Sequence, residues 1–356
     1  MPKKNVCVIF GGQSSEHEVS LISASFVMSN VDPAKYELIK LGITKDGKWY
    51  VFDGPIEEIK ENRWQAGKIR RAFLSPDEQI AGLVVLNDDH TYDTVRIDCA
   101  FPVLHGRFGE DGTIQGLFEL AGIPYAGCGV VSSAVTMDKV FSRTIFDAAS
   151  IPQAAWSWCL KRDFEQNPEK VILDIENRFI YPMFIKPANA GSSVGITKAK
   201  SREDLKNALS TAFLHDKKAV IEEYINGREI EISVLGTHDL TISVCGEIIP
   251  AREFYDYEAK YADENSRLII PAPLTDTEYQ TIKQYAAAAF NAAECEGLSR
   301  VDFFIRHSDG KVFLNEINTI PGFTQISMYP KLLNATGIDS ERIVNTLIEL
   351  GLNKRI

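Results

Sequence analysis

The 356-residue chain is too long for one ordinary hydrophobic core, so two or three domains are expected. Its 45% hydrophobic and 24% charged residues are those of a soluble globular protein. A net charge of −11 argues against nucleic acid or an anionic membrane as partner, although a phosphate ligand needs only a few local cations.

In chain order, Asn5–Phe10 reads as a buried parallel strand rather than a signal peptide, turned by Gly11-Gly12 toward a helix near Ser15–Glu18. Glu16 and Glu18 at that helix start suit a ligand ammonium better than a phosphate, and Glu18 also reads as a carboxylate placed by the helix dipole. Tyr36–Ile43 and Trp49–Phe52 are strands around the turn Lys45–Lys48, and residues 54–95 read as polar and irregular. Cys99–Leu104 is another buried strand, and HGRFGEDGTIQG (105–116) is a glycine-rich loop entering a helix over Ile114–Ala121. It is not a Walker A loop, since no Gly-Lys-Ser/Thr follows. A further helix from near Ser132 is expected to carry Met137-Asp138-Lys139.

The next unit has a strand, Tyr181–Pro187, carrying Lys186, then the Gly/Ser loop 190–195 and a strand Ile196–Ala199. Such a flap can present backbone N–H groups to phosphates. A helix over Ser201–Phe213, a strand Ala219–Tyr224 and a strand Glu229–Leu235 follow. Residues 252–265 are too polar for a core and read as a long surface loop. Asp276–Ala293 and Ser340–Leu350 are helices. Six scattered cysteines without a CxxC pair indicate reduced thiols and a cytoplasmic protein, and no apolar run reaches the roughly 20 residues of a membrane span.

The stretch Ser299–Thr324 holds the densest chemistry. Val301–Ile305 and Val312–Ile317 read as a hairpin about His307–Gly310. Because strand side chains alternate faces, Arg300 and Asp302 share one face, as do Glu316 and Asn318. If the hairpin pairs those faces, three hard oxygen ligands and a guanidinium converge. Magnesium favours such a site, with its remaining positions left to water and phosphate. A solvated sheet face would account for each residue singly, but not for the apolar positions around them or the Pro321-Gly322 break.

The runs GGQSSEHEVSL, HGRFGEDGTIQG, MDK, FIKPANAGSSVGI, FYDYEAKY, SRVDFF and NEINTIPGFTQISMYP, in this order over residues 6–330, resemble the D-alanine–D-alanine ligases of the ATP-grasp superfamily. The resemblance implies an α/β fold: an N-terminal parallel-sheet domain (1–130) followed by two ATP-grasp subdomains (131–226 and 227–356). It implies ATP, two Mg2+ (or Mn2+) ions and two D-alanines as ligands, and a homodimer. Lys139, Lys186 and Ser193 would hold phosphates, Glu222 and the Glu223–Ile225 backbone the adenine, and Glu229 the ribose. Asp302, Glu316 and Asn318 would be the metal ligands. Arg300 and the Gly322 N–H would stabilise an oxyanion. Glu16, Ser192 and Tyr261 would form a hydrogen-bonded triad at the first substrate, with His105 nearby. Lys260 would reach the γ-phosphate, and Ser327 the second substrate's carboxylate. Phe108 and Gln325-Ile326 depart from the family pattern without removing a catalytic group. Competing readings are a D-serine or D-lactate acceptor, against which Tyr261 speaks for lactate only, and an inactive nucleotide-binding relative. The latter would be expected to have lost one of Lys260, Arg300, Asp302, Glu316 or Asn318, and all are present.

Overall fold

A computed structural model describes residues 2–191, 194–249 and 267–354. Ser192, Ser193, Lys260, Tyr261 and the expected surface loop 252–265 lie outside the described residues.

The N-terminal sheet is built on β1 (Lys4–Gly11). Its alternating side chains enter two cores: Val6, Val8 and Phe10 face α1 (His17–Ser29), while Cys7 and Ile9 join a second cluster on the other side. Burial on both faces explains the uninterrupted apolar run. β2 (Tyr36–Ile43) pairs parallel with β1, and β3 (Trp49–Phe52) turns back antiparallel. Residues 54–95, read as irregular, instead form α2 (Ile56–Lys60), a 3-10 turn at Trp64–Ala66 and three strands, β4 (Ile69–Leu74), β5 (Gly82–Leu86) and β6 (Tyr92–Arg96). These three pair antiparallel and widen the sheet to the order β6-β5-β4-β3-β2-β1-β7, where β7 is Cys99–Pro102. The parallel part is therefore confined to β2-β1-β7. The sequence hid the extension because β6 is largely exposed and β4 shows two consecutive exposed arginines, which erases a clean period of two.

α3 (Thr113–Leu120) precedes α4 (Val130–Met137). The single helix expected through Met137-Asp138-Lys139 is broken. Asp138 adopts φ −86°, ψ 105°, and its carboxylate caps Val140 N–H at 3.0 Å, starting α5 (Lys139–Ala148). The break puts Lys139 at the first position of a new helix. A four-stranded antiparallel sheet follows, in the order β10-β9-β11-β8. Its strands are β8 (Trp156–Leu160), β9 (Met183–Pro187), β10 (Thr197–Ala199) and β11 (Lys218–Glu223). It is backed by α6 (Lys161–Gln166), α7 (Pro168–Glu176) and α8 (Arg202–His215), which enclose their own core.

The third sheet has the order β14-β13-β12-β15-β16. Its strands are β12 (Gly227–Gly236), β13 (Thr241–Ile249), β14 (Arg267–Ile269), β15 (Gly297–Arg306) and β16 (Val312–Asn318). α9 (Asp276–Ala292), opened by a Thr275/Glu278 capping box, buries Ile282, Ala286 and Phe290 against it. α10 (Met328–Ala335) and α11 (Ser340–Leu352) follow. α11 does not stay with the C-terminal sheet: Ile343, Val344, Leu347 and Ile348 share one core with Val6, Val8 and Phe101. The approach is close enough that a Cβ on Gly351 would lie 2.7 Å from Cys99 Sγ and 2.8 Å from Ala126 N. The first and last parts of the chain are thus locked together by a shared core. All six cysteines are free.

Trp64 anchors the segment that the sequence left unread. It is fully buried, with Phe10, Tyr50 and Phe52 edge-on at 5.2, 6.4 and 6.4 Å. Its Nε1–H has no hydrogen-bond partner among the described residues. Trp64→Ala is expected to cost about 3–5 kcal/mol. Trp64→Phe should cost clearly less, because it keeps a ring and deletes the unsatisfied donor. Urea unfolding followed by circular dichroism measures both; equal losses would contradict the ring-packing origin.

Candidate active site

The β15–β16 register sets the site. Arg300 stands opposite Asn318 and Asp302 opposite Glu316, with a bulge immediately after Asp302. On the other side of β15, Glu231 of β12 also stands opposite Asp302. Arg300 grips Asp302 with two hydrogen bonds of 2.7 Å, and its Nε lies 3.1 Å from Glu231 Oε2. Burial works against the guanidinium's charge, but Asp302 and Glu231 outweigh it and hold the pKa well above the ordinary arginine value. Asn318 Nδ2 donates to Asp302 Oδ2 at 3.1 Å, which leaves the amide oxygen outside that contact.

This donor set fits a divalent cation. Three carboxylates, Asp302, Glu231 and Glu316, face the single guanidinium of Arg300, and Lys139 also faces Glu316. The available ligands are carboxylate and amide oxygens, as magnesium requires. Among the described residues no three His, Cys, Asp or Glu side chains are grouped for a metal, and the Asn318 amide oxygen stands beside the Asp302 and Glu316 carboxylates.

Two cavities meet at Glu316. The outer one, about 510 Å³, lies between the second and third sheets and is lined by Lys186, Glu222, Glu223, Ile225, Glu229, Asp302 and Glu316, among others. That volume is in the range of about 300–1,000 Å³ usual for small-ligand sites. The inner one reaches the N-terminal part and is lined by Glu16, His105, Glu110, Lys139, Arg300, Glu316, Asn318 and Gly322. Gly191 also lines it; a Cβ there would lie 2.9 Å from Glu16 Oε2, and one on Gly106 (φ +72°) would lie 2.5 Å from the same oxygen. The Glu16 carboxylate thus sits in a slot that two glycines keep open.

The cations of the outer cavity are held by a buried network. Glu222, 3% exposed, pairs with Lys186 at 2.8 Å and Arg143 at 2.6 Å. Burial pushes its carboxyl up, but those two charges prevail and hold it at about 2. The Glu222 carboxylate therefore positions Lys186. Glu223 Oε1 accepts from Ala155 N at 2.8 Å, which fixes the start of the segment running to Ile225. Lys139 Nζ donates to Ala190 O at 2.8 Å, and burial, against the pull of Glu316, lowers its pKa. Ser327 is not in the inner lining, but its Oγ accepts from Thr324 N at 3.1 Å and lies against Gly322. Glu18 faces outward and pairs with Lys45.

Residues 5–128 match the family model for the D-Ala D-Ala ligase N-terminus, and residues 145–349 match that for its C-terminus. The chain belongs to the D-alanine–D-alanine ligase family. A D-alanine–D-alanine ligase of Caldicellulosiruptor bescii is 50% identical over 354 residues, covering 99% of this chain and 96% of the relative. Among solved structures, the VanG D-Ala:D-Ser ligase from Enterococcus faecalis has a TM-score of 0.90 at 39% identity, covering 98% of this chain and 99% of that one. The D-alanine–D-alanine ligase from Coxiella burnetii has a TM-score of 0.84 at 34% identity, covering 99% and 96%.

Within this ligase fold, sequence reasoning missed Arg143, Glu231 and Glu110. Arg143 could have been found as the i+4 neighbour of Lys139 on one helix face, and Glu231 as the second acid on the face of Glu229. Glu110 gave no such signal, since only the fold brings it to Glu16. Its Oε1 accepts from Gly106 N at 2.8 Å, yet burial, and then the charge of Glu16, push its carboxyl up to about 8.

That shift has a sign. The unfolded carboxyl ionises near 4.5 and the folded one near 8, so the stability it contributes is full below about 4.5 and is lost as pH rises through about 8. Glu110→Gln removes the ionisation. The melting temperature of the variant relative to the parent should therefore climb between pH 5 and pH 8 and level off above. Thermal melts across pH 5–9 check this, and a pH-independent difference would contradict it.

Proposed function

We propose that the chain condenses two D-alanines into D-alanyl-D-alanine for cell-wall peptidoglycan, using ATP and magnesium. The observation that carries the reading is the meeting of a nucleotide-sized cavity and a small polar cavity at Glu316, between a clamped Lys186 and a paired Arg300.

ATP would occupy the outer cavity, with adenine on the 223–225 backbone, ribose on Glu229 and phosphates facing Lys186 and Lys139. Asp302, Glu316 and Asn318 would hold the two magnesium ions, which neutralise the triphosphate when bound. The first D-alanine, its ammonium on Glu16, would use a carboxylate oxygen to attack the γ-phosphorus, with ADP leaving on the β,γ-bridging oxygen. The product is D-alanyl phosphate. The amine of the second D-alanine, once deprotonated, then attacks the acyl carbon, and inorganic phosphate departs as the tetrahedral adduct collapses. Arg300 and the Gly322 N–H would receive the oxyanion of that adduct. Ser327 would meet the second carboxylate. A homodimer in the cytoplasm is part of the same proposal; among the described residues no helix is long and apolar enough to cross a membrane.

D-Serine as acceptor is the second reading, motivated by the 0.90 TM-score to the D-Ala:D-Ser ligase. The higher identity to relatives named for D-alanine supports D-alanine. ATP-dependent phosphate release with D-alanine alone, and with D-alanine paired to D-serine or D-lactate, separates them. D-Alanine alone should give the fastest release together with dipeptide; a larger yield of D-alanyl-D-serine would reverse the assignment. Asp302→Ala and Glu316→Ala should each abolish turnover while circular dichroism stays unchanged, and dipeptide formation near the parent rate would sink the metal assignment.

A further inference from the structure

Pro321 and Gly322 line the inner cavity, yet the residues flanking them are held by the N-terminal part of the chain. His105 Nδ1 lies 3.0 Å from Ile320 O. A carbonyl only accepts, so Nδ1 carries the proton. In the neutral ring Nε2 is then an acceptor, and Ser23 Oγ, 2.9 Å away, donates to it. Ser23 Oγ in turn accepts from Phe323 N–H at 3.3 Å. Ser23 is 0% and His105 3% exposed, so these bonds are buried. Burial lowers the His105 pKa, against the pull of Glu16, in keeping with the neutral ring. The rings of Phe26 and Tyr329 pack on Phe323 at 6.1 and 5.3 Å.

Both nitrogens of His105 are therefore taken by the protein. A substrate beside it would find no free donor or acceptor on the ring. What His105 and Ser23 do hold is one residue on each side of Pro321-Gly322. We infer that Ser23 and His105 form an inter-domain clamp that fixes where the Gly322 N–H points, making them positioning residues for the second half-reaction. This deepens the ligase reading above and rests on it. The shared core between α11 and the N-terminal sheet gives the clamp a rigid base, so the two ends do not drift apart.

The test compares the half-reactions in Ser23→Ala. The first half is read by positional isotope exchange in ATP with D-alanine present, and the whole by the single-turnover rate of dipeptide formation. Removing an oxyanion donor outright costs about 10²–10³ in rate, and a displaced donor should cost part of that, about 10- to 100-fold. Expected is that loss in dipeptide formation, with isotope exchange and the KM for ATP changed by less than about threefold. His105→Leu, which keeps bulk but removes both bonds, should give the same selective loss. The double variant should be no worse than the poorer single one, because both act through one segment. Were Ser23→Ala to lose its cooperative melt, the His105→Leu comparison would decide alone. Unchanged dipeptide formation, or equal losses in both half-reactions, would overturn the clamp. A parent protein that makes no dipeptide would instead overturn the ligase reading.

Discussion

One guanidinium between carboxylates constrains the rest of the site. Arg300 is hydrogen-bonded twice to Asp302 and ion-paired to Glu231, and both partners are set by strand register across β12, β15 and β16. A charge so placed is costly unless it is paired, and removing one partner of such a pair typically costs about 3–5 kcal/mol. A register slip of one residue would turn Arg300, Asp302 and Glu231 to the opposite face, so the apolar alternation of these strands and the chemistry of the site specify the same pairing. Around Arg300 itself three carboxylates, Asp302, Glu231 and Glu316, face one guanidinium, an oxygen-rich setting of the kind a divalent cation takes.

Three separate sheets contribute to this corner. The second supplies Lys186, held by Glu222, which Arg143 also holds; the N-terminal part supplies Glu16 and His105; the third supplies the hairpin. Each functional cation or anion has a partner that fixes it, so the groups are preorganised rather than gathered by a ligand. The packing of α11 on the N-terminal sheet matters here, because it ties the first substrate's side of the cavity to the hairpin's side through buried aliphatic contacts.

The hairpin was legible in the sequence because its polar residues interrupt an apolar strand pattern at intervals of two, and period-two arguments survive folding. The ordered motifs made the family legible for the same chain. Other features were not. Residues 54–95 read as irregular because β4 and β6 expose arginine, aspartate and tyrosine, which leaves the short apolar run of β5 without strand-like neighbours. The break at Asp138 was missed because the run through Met137-Asp138-Lys139 lacks glycine or proline; the aspartate ends one helix by capping the next. The role of Glu222 as a holder of Lys186, and the clamp through Ser23, depend on partners 36 and 300 positions away in the chain, and no local pattern encodes such distances.

The central claim is that the oxygens of Asp302, Glu316 and Asn318 face divalent cations beside a nucleotide. Electron paramagnetic resonance of Mn2+ titrated into the protein with and without ADP reads this without turnover. Expected is uptake of Mn2+ that tightens when ADP is present and weakens by at least about tenfold in Glu316→Gln. Mn2+ uptake that ignores both ADP and the Glu316 substitution would contradict it.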